Sequence, residues 1–452
     1  MSSYGVNSRA QFFKSQVKDL SYVQGGKFVD IRPKNTLIEG SKNCIIFEFG
    51  HMNNYAYNFR DSRLIFKLKI VNGANNQAPT ADNTAIRPLN SIGISFWKRI
   101  ELFINNVAVH SNLIDVGLKH LLDTMLEKPE HSSKSDKLWG FNHIPLEHGT
   151  VNTSNNAYFN ADNVDQLREY TTYIVKLPLD LFRTSVNIPS LENVNYEIRL
   201  FPNDDAYVLN YGFADPATPA NEIAVNWKML LKPDITFRLR CDKMSEAATH
   251  AHLSQTLNHN HPYRVWFRPT CMSTFIIPAN SFYEPFDDIF PRERPLGLFI
   301  TFLKQSAYMG SKLENSFYLH PGEGFQSLSV YSDGELVGES KPLEINLGNN
   351  ESLKELYAQN LSVLGHDVFD NDLFWSHTDL ARGYFLWGVP LKPTSQSEGL
   401  TSMTPPSVIS GSVRYRTDVA KTDTYVCVWY AIMNMTELQL FYDGTVVNNF
   451  SM

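Results

Sequence analysis

The chain has 452 residues, of which 43% are hydrophobic and 19% are charged, and its formal net charge is −7. This length exceeds what a single hydrophobic core usually serves, so we expect two domains. No run of Lys and Arg stands out in the sequence, which argues against a protein that grips nucleic acid by its phosphates. The cysteines Cys44, Cys241, Cys271 and Cys427 form no CxxC pair. Their wide spacing argues against a disulfide scaffold or a zinc ribbon.

The N-terminal residues lack the basic and apolar pattern of a signal sequence, and no apolar run reaches the length of a membrane span. We therefore expect the chain to fold in a reducing cytoplasm or nucleus. Residues 1–34 are predicted to be a loose N-terminal arm that orders only on assembly.

Short strand-like runs dominate the next part of the chain, and helical periodicity is scarce. Residues 44–49 form one such run, and residues 64–71 form another that ends at Asn72 and Gly73. The dipeptides Asp333-Gly334 and Asp443-Gly444 mark further turns that accept a positive φ. The pattern predicts an all-β protein with short helical exceptions.

Two of these exceptions suggest an internal duplication. Residues 97–109 read as strand, turn and strand, followed by a helical stretch whose apolar face comprises Leu118, Leu121, Leu122 and Met125. Residues 325–337 repeat this order 228 positions later, and a second helical stretch follows with Leu353, Leu356, Tyr357 and Asn360 at the same spacing. Any two β domains share short strands, but a helix after the same hairpin favours a repeated unit.

Further segments are predicted to correspond in the same order: residues 44–49 with 272–277, 64–71 with 296–303, 176–179 with 388–391, and 196–199 with 413–416. The predicted fold is two tandem eight-stranded jelly-roll sandwiches, each with a short inserted helix. The predicted division is an arm at 1–34, a first jelly roll at 35–245, a linker at 246–262, a second jelly roll at 263–443 and a tail at 444–452.

Residues 43–441 resemble the double jelly-roll major capsid proteins of the Polinton (Maverick) and adintovirus group, and more distantly virophage and adenovirus hexon-like proteins. The resemblance depends on the order and spacing of several stretches, among them 88–91, 100–109, 263–265, 276–279, 294–298, 315–317, 330–334, 341–343, 379–384 and 425–433. It implies a trimer of six jelly rolls around a threefold axis, with strands roughly perpendicular to a shell and long loops forming outward towers.

Two long polar stretches of the first repeat, residues 129–168 and 202–224, are predicted to emerge at the same end of the sandwich as an exposed crown. The second repeat has shorter counterparts at 365–379 and 392–406.

No residue is predicted to be catalytic, to bind a cofactor or to hold a metal. The densest titratable cluster is His250, His252, His259 and His261, which we interpret as a solvated linker because no acid or cysteine lies at ligand spacing. The pairs Asp204-Asp205 and Asp287-Asp288 suit acid–base chemistry, but their loop-like setting favours ordinary turn acids. Residues 23–26 resemble the hydrophobic-x-Gly-Gly sites that adenovirus-type proteases cut, but a flexible, glycine-containing arm gives the same residues, and we favour the arm.

The sequence thus predicts a structural protein: a viral major capsid protein that trimerises into pseudo-hexagonal capsomers and assembles into an icosahedral shell of a double-stranded DNA virus. Its expected partners are neighbouring capsomers, a single jelly-roll penton protein and minor capsid proteins. We expect no specific nucleic-acid site on this chain. It would be made in the host cytoplasm, assembled there or in the nucleus, and reside in the virion capsid. A receptor- or glycan-binding β-sandwich and a tandem jelly-roll amidase-type hydrolase remain the alternatives.

Overall fold

A computed structural model describes the chain over most of its length. The described residues are 23–79, 86–110, 115–126, 169–184, 186–210, 226–246, 262–290, 295–311, 314–337, 343–364, 373, 375–391, 408–419 and 421–448. Strands dominate them, in two groups that follow one another along the chain.

The first group makes a sandwich of two main sheets. Its strands are β1 (Val23–Ile31), β2 (Ile45–Phe49), β3 (Tyr55–Asn72), β4 (Arg87–Pro88), β5 (Trp97–Ile104), β6 (Val107–His110), β7 (Thr171–Val175), β8 (Ile188–Pro189), β9 (Tyr196–Pro202), β10 (Leu209–Asn210), β11 (Trp227–Leu231) and β12 (Thr236–Met244). In the larger sheet the long β3 pairs with β11 and β12 and also with β7 and β8, and β1 pairs with β12 at the edge. The second sheet has the order β2-β9-β5-β6.

The second group repeats this plan. Its strands are β13 (Tyr263–Phe267), β14 (Thr270–Ile277), β15 (Tyr283–Phe286), β16 (Gly297–Lys304), β17 (Phe325–Ser332), β18 (Glu335–Leu336), β19 (Leu343–Glu344), β20 (Trp387–Pro390), β21 (Ile409–Tyr415), β22 (Tyr425–Ile432), β23 (Thr436–Leu440) and β24 (Val446–Asn448). One sheet has the order β14-β22-β16-β20, and the facing sheet has β15-β21-β17-β18 with β19 beside β17. A further sheet joins β13, β23 and β24.

Short helices fill the connections between strands. The α-helices are α1 (Ile92–Ser95), α2 (Val116–Leu126), α3 (Asp205–Val208), α4 (Gln305–Met309) and α5 (Asn350–Val363), and 3₁₀ helices span Asp180–Arg183 and His377–Arg382. Both helices predicted after the matching hairpins are confirmed: α2 follows β5 and β6, and α5 follows β17 and β18. The strand order of each four-stranded pair of sheets is that of a jelly roll, so the predicted double jelly-roll fold is confirmed.

The structure differs from the prediction at both ends of the strand pattern. Residues 23–31, predicted to belong to a loose arm, form β1, which is hydrogen-bonded to β12 from Val23 to Ile31. Residues 446–448, predicted to belong to a tail, form β24 beside β23. The charged side chains and the two glycines of β1 suggested flexibility, but an edge strand needs only one apolar side, here supplied by Val29 and Ile31.

Missing β1 also shifted one predicted correspondence. β1 occupies the place in the first sandwich that β14 occupies in the second, and the counterpart of β2 is β15. The predicted match of 44–49 with 272–277 is therefore wrong by one strand. The strands β9 and β21 do correspond, but their register against β5 and β17 aligns Tyr196 with Ile409 rather than with Val413. An alternating pattern repeats every two residues, so it does not fix such a register.

The connections of the first sandwich converge at one end. Strand β4 pairs with β10, which links the connection before β5 to the connection after β9. In addition, α1 packs against α2 in the connection after β6. Residues 129–168 and most of 202–224 lie outside the described residues, so their common crown stays a prediction.

Candidate functional site: the seam between the two sandwiches

The seam between the sandwiches is built around helix α2. The helix begins after Asp115, whose carboxylate accepts a hydrogen bond from the Leu118 N–H at 3.1 Å and thereby satisfies one of the free amides of the first turn. Its apolar residues are buried as predicted, but Lys119 and Asp123 on the neighbouring face are buried too. The polar side of this helix therefore faces protein rather than solvent.

A compact cluster of charges lies on that side. The Lys119 ammonium is 2.9 Å from a carboxylate oxygen of Asp123 and 3.1 Å from one of Asp180, and each of these side chains is at most 1% exposed. Arg183 approaches Asp123 to 2.6 Å from the partly exposed rim. Two cations thus meet two carboxylates, and the cluster carries no net charge.

The second sandwich completes the cluster with neutral donors. Thr270, at the start of β14, donates its backbone N–H to Asp180 at 2.9 Å and lies within hydrogen-bond distance through its hydroxyl. Tyr430 of β22 donates its hydroxyl to Asp123. Burying a carboxylate lowers the stability of the fold unless the carboxylate is paired and hydrogen-bonded. Thr270 and Tyr430 supply such hydrogen bonds, and they do so only when the second sandwich is docked on the first.

The cluster shifts the ionisation of its members. Burial alone would raise the pKa of Asp123, but Arg183 and Lys119, together with hydrogen bonds from Lys119 and Tyr430, lower that pKa to about 2. Burial raises the pKa of Tyr430 well above its ordinary value, and the negative charge of Asp123 raises it further. The next residue of the helix, His120, has its pKa lowered to about 4 because it is buried. The charged groups of the cluster are therefore used in contacts with one another and with the second sandwich.

Two contacts flank the cluster. The Trp375 indole donates a hydrogen bond to the Met125 carbonyl at the end of α2, at 2.9 Å. Near the start of α2, a Cβ atom added to Gly117 would lie only 3.5 Å from the Phe317 ring. The connections of the second sandwich therefore enclose helix α2 from both ends.

The C-terminal hairpin clasps the other end of the first sandwich. Asn105 adopts a positive φ of 46° in the turn between β5 and β6, and its amide donates to the carbonyls of Asn193 and Gly444 at 2.6 and 2.7 Å. Asn448 of β24 donates to the Ala108 carbonyl at 3.1 Å. These contacts join the last strands of the chain to its first sandwich.

The sheet that faces the seam is apolar on both sides. Every residue of β22 from Tyr425 to Ala431 is buried, as is every residue of β16 from Gly297 to Leu303. Trp429 points into the sandwich, where it meets the Phe286 ring, and the neighbouring Tyr430 points the other way to Asp123. A strand covered on both faces reads as a continuous apolar run, which is how both strands read.

Sequence reasoning did not locate this seam, and the candidate site residues that it examined lie elsewhere. His250, His252, His259 and His261 fall outside the described residues. The Asp205 carboxylate accepts hydrogen bonds from the Lys42 ammonium at 2.9 Å and from the Met229 N–H at 3.0 Å. Asp288 lies exposed in the connection after β15, with a positive φ of 49°. Both acid pairs thus occupy turns or helix starts.

The remaining candidates are also structural in their setting. All four cysteines are free thiols, three of them buried. Gly26, beside the proposed processing position, lies in β1, where a side chain would collide with Arg240 and Asp242. Over the part of the chain that the structure describes, no group of three or more His, Cys, Asp or Glu residues is arranged to hold a metal ion. No helix within it is long and apolar enough to cross a membrane.

The two linked sandwiches define the class: a double jelly roll. Solved structures with this architecture match nearly the whole chain. The chain is similar to the mavirus major capsid protein, with 11% identity and a TM-score of 0.52 over 94% of this chain and 90% of that one. It is similar to the Sputnik virophage structure determined by cryo-electron microscopy, with 10% identity and a TM-score of 0.58 over 96% and 90%.

A third similar structure is the quasi-atomic model of the PBCV-1 virus capsid, with 8% identity and a TM-score of 0.56 over 95% of this chain and 98% of that one. At this level of identity the likeness establishes the fold. No protein-family model matches the chain, and no curated protein sequence matches it.

Proposed function

We propose that this chain is a viral major capsid protein that trimerises into pseudo-hexagonal capsomers and assembles into an icosahedral shell. The observation that carries the proposal is the extent of the structural match: both sandwiches, in the same order, account for 94–96% of this chain in alignments to viral capsid proteins. The seam supports it, because a tile must hold its two jelly rolls in one fixed orientation.

The proposed partners are further copies of the chain, a single jelly-roll penton protein and minor capsid proteins, and the proposed location is the virion capsid. Affiliation with the Polinton and adintovirus group rests on the sequence resemblance alone. An amidase-type hydrolase would need convergent acids in a cleft, whereas the described acid pairs serve turns and helix starts. The amidase and the receptor-binding alternatives therefore gain no support.

Light scattering and electron microscopy of the purified protein test the proposal. We expect a species of about three times the chain mass of 51.5 kDa, or larger assemblies built from it, and hexagonal tiles in micrographs. A monomer that persists at micromolar concentration in physiological buffer would contradict the proposal and favour a binding module.

A further inference from the structure

The outer face of the large sheet in the first sandwich is basic, although the chain as a whole carries a net charge of −7. Along β3, core-facing residues alternate with residues that face outward, and the outward positions include Arg63, Lys67 and Lys69. Lys232 lies beside them, since its N–H donates to the Lys67 carbonyl at 3.0 Å. Arg238 of β12 lies directly opposite Arg63. We call these five residues the basic face.

Among the described residues, the cations of the basic face have few carboxylate partners, although the ammonium groups of Lys69 and Lys232 lie 4.6 and 5.6 Å from the centroid of the Tyr170 ring. Asp30 of β1 binds Arg238 through two hydrogen bonds of 2.7 and 3.0 Å. Elsewhere on this face, and counting only carboxylates that the structure describes, no oxygen lies within 4.0 Å of the side-chain nitrogens of Arg63, Lys67, Lys69 or Lys232. Like charges directly opposite one another weaken a sheet, so this arrangement costs stability in the free chain.

The corresponding face of the second sandwich is covered. There the outward residues of β16 and β22 are buried: Tyr430 donates a hydrogen bond to Asp123 of helix α2 in the first sandwich, and Val363 of helix α5 lies against Gly297. The seam therefore joins the helix side of one jelly roll to the sheet face of the next. A ring of six similar units needs the same contact a second time, between the helix side of the second sandwich and the basic face of another copy.

The helix side of the second sandwich has complementary charge. Helix α5 covers the free edge of β20, where the Asn360 amide donates to the Leu386 carbonyl at 2.9 Å. Its exposed side chains include Glu351 and Glu355, with one lysine, Lys354, between them, and Glu344 of β19 is exposed nearby in the chain. The acidic groups on this side are opposite in charge to the basic face. Such complementarity speeds the association of two copies of the chain and favours one relative orientation.

We propose that the basic face binds the α5 side of a second copy of this chain and so forms the contact between subunits of the trimer. The inference rests on the proposed function and adds the identity of the two surfaces. The salt dependence of trimer formation follows from it, because contacts between partly exposed charges weaken as ionic strength rises.

Charge reversal tests the proposal in the full chain. The double variant Lys67→Glu with Lys69→Glu should raise the dissociation constant of the trimer by at least about tenfold, measured by sedimentation. The double variant Glu351→Lys with Glu355→Lys should do the same, and combining all four changes should restore assembly. The matched control reverses Lys34 and Lys98, two exposed lysines beside the opposite sheet, and should leave the dissociation constant unchanged.

Three results would overturn the inference. One is an unchanged trimer in both double variants, provided that their circular dichroism shows the wild-type fold. Another is failure of the fourfold variant to recover when each double variant is folded. The third is normal trimerisation of the lysine variant together with loss of salt-sensitive binding to double-stranded DNA, which would assign the face to nucleic acid. If the wild-type chain itself forms no trimer, the proposed function fails first.

Discussion

The same sheet is built in two different ways in the two halves of the molecule. In the first sandwich, β3 alternates between buried apolar residues and outward cations such as Lys67 and Lys69. In the second, β16 and β22 are buried on both faces. The main sheets share the strand orders β1-β12-β3-β7 and β14-β22-β16-β20, and each sandwich carries one hairpin-plus-helix unit. The outward residues thus follow the surroundings of each sheet: they are exposed or half-buried cations on β3, and they are buried at the seam on β16 and β22.

The largest expected effect on stability comes from placing an outward cation, as in β3, on the buried outer face of β22. In Val428→Lys, a cation would enter the buried outer face of β22 beside Thr301. Burying an unpaired charge costs several kcal/mol, so we expect about 5 kcal/mol of lost stability and little soluble protein.

The matched control places a lysine on the open sheet. Thr172 is exposed and lies opposite Lys67. Thr172→Lys should cost less than about 1 kcal/mol, the penalty for like charges on adjacent strands. Chemical denaturation of both variants provides the measurement. Equal losses would show that the two outer faces do not differ in the way their burial indicates.

The next largest effect comes from removing one charge of the seam. In Lys119→Met, Asp180 loses the Lys119 cation, and Asp123 keeps the partly exposed Arg183 and the hydroxyl of Tyr430. Removing one partner of a buried ion pair typically costs about 3–5 kcal/mol, because the other charge stays buried. Urea unfolding followed separately by tryptophan fluorescence and circular dichroism would measure the loss. A change below about 1 kcal/mol would mean that water reaches the cluster.

The smallest effect concerns acidity at the seam. Burial lowers the pKa of His120 to about 4, whereas the unfolded residue titrates near 6.5. The contribution of neutral His120 to the free energy of unfolding is therefore fully present above pH 6.5, and it is lost as the pH falls from 6.5 towards 4. The loss between pH 7 and pH 5 should be about 2 kcal/mol. Asp123, with a pKa of about 2, contributes only in a lower window, between pH 3.8 and 2.

His120→Leu should flatten the stability profile between pH 7 and pH 5, measured by the urea midpoint at each pH. His51→Leu, at an exposed position of the first sandwich, provides the control for exchanging a histidine for leucine. An identical slope in wild type and His120→Leu would assign the acid sensitivity to other groups.

Local patterns in the sequence predicted the parts of the fold that depend on neighbouring residues. The hairpin-plus-helix units at β5 and β17 were found because turn residues and helical spacing lie within about thirty positions of one another. Strand β1 was missed because its identity depends on pairing with β12, more than two hundred residues away in the chain. Edge strands with one solvent side carry too weak a pattern to be recognised alone.

The seam was missed for a different reason. Lys119, His120 and Asp123 look like the solvent side of an amphipathic helix, and nothing in the sequence places Tyr430 or Thr270 against them. The run Tyr425–Ile432 did contain a usable signal. Eight consecutive residues suited to a doubly covered strand predict that something packs on the outer face, although not what packs there.

The polarity of the seam also bears on how a ribosome can make this chain. Helix α2 emerges early, but Tyr430 follows more than three hundred residues later, a delay of roughly 15–60 s at ordinary rates of translation. During that interval the surface of the first sandwich that will contact the second exposes Lys119, Asp123 and Asp180, which water can solvate. The apolar side of the joint, on β16 and β22, is synthesised only when its partner already exists. The order of synthesis thus gives the apolar surface a partner within its own chain as soon as it is made.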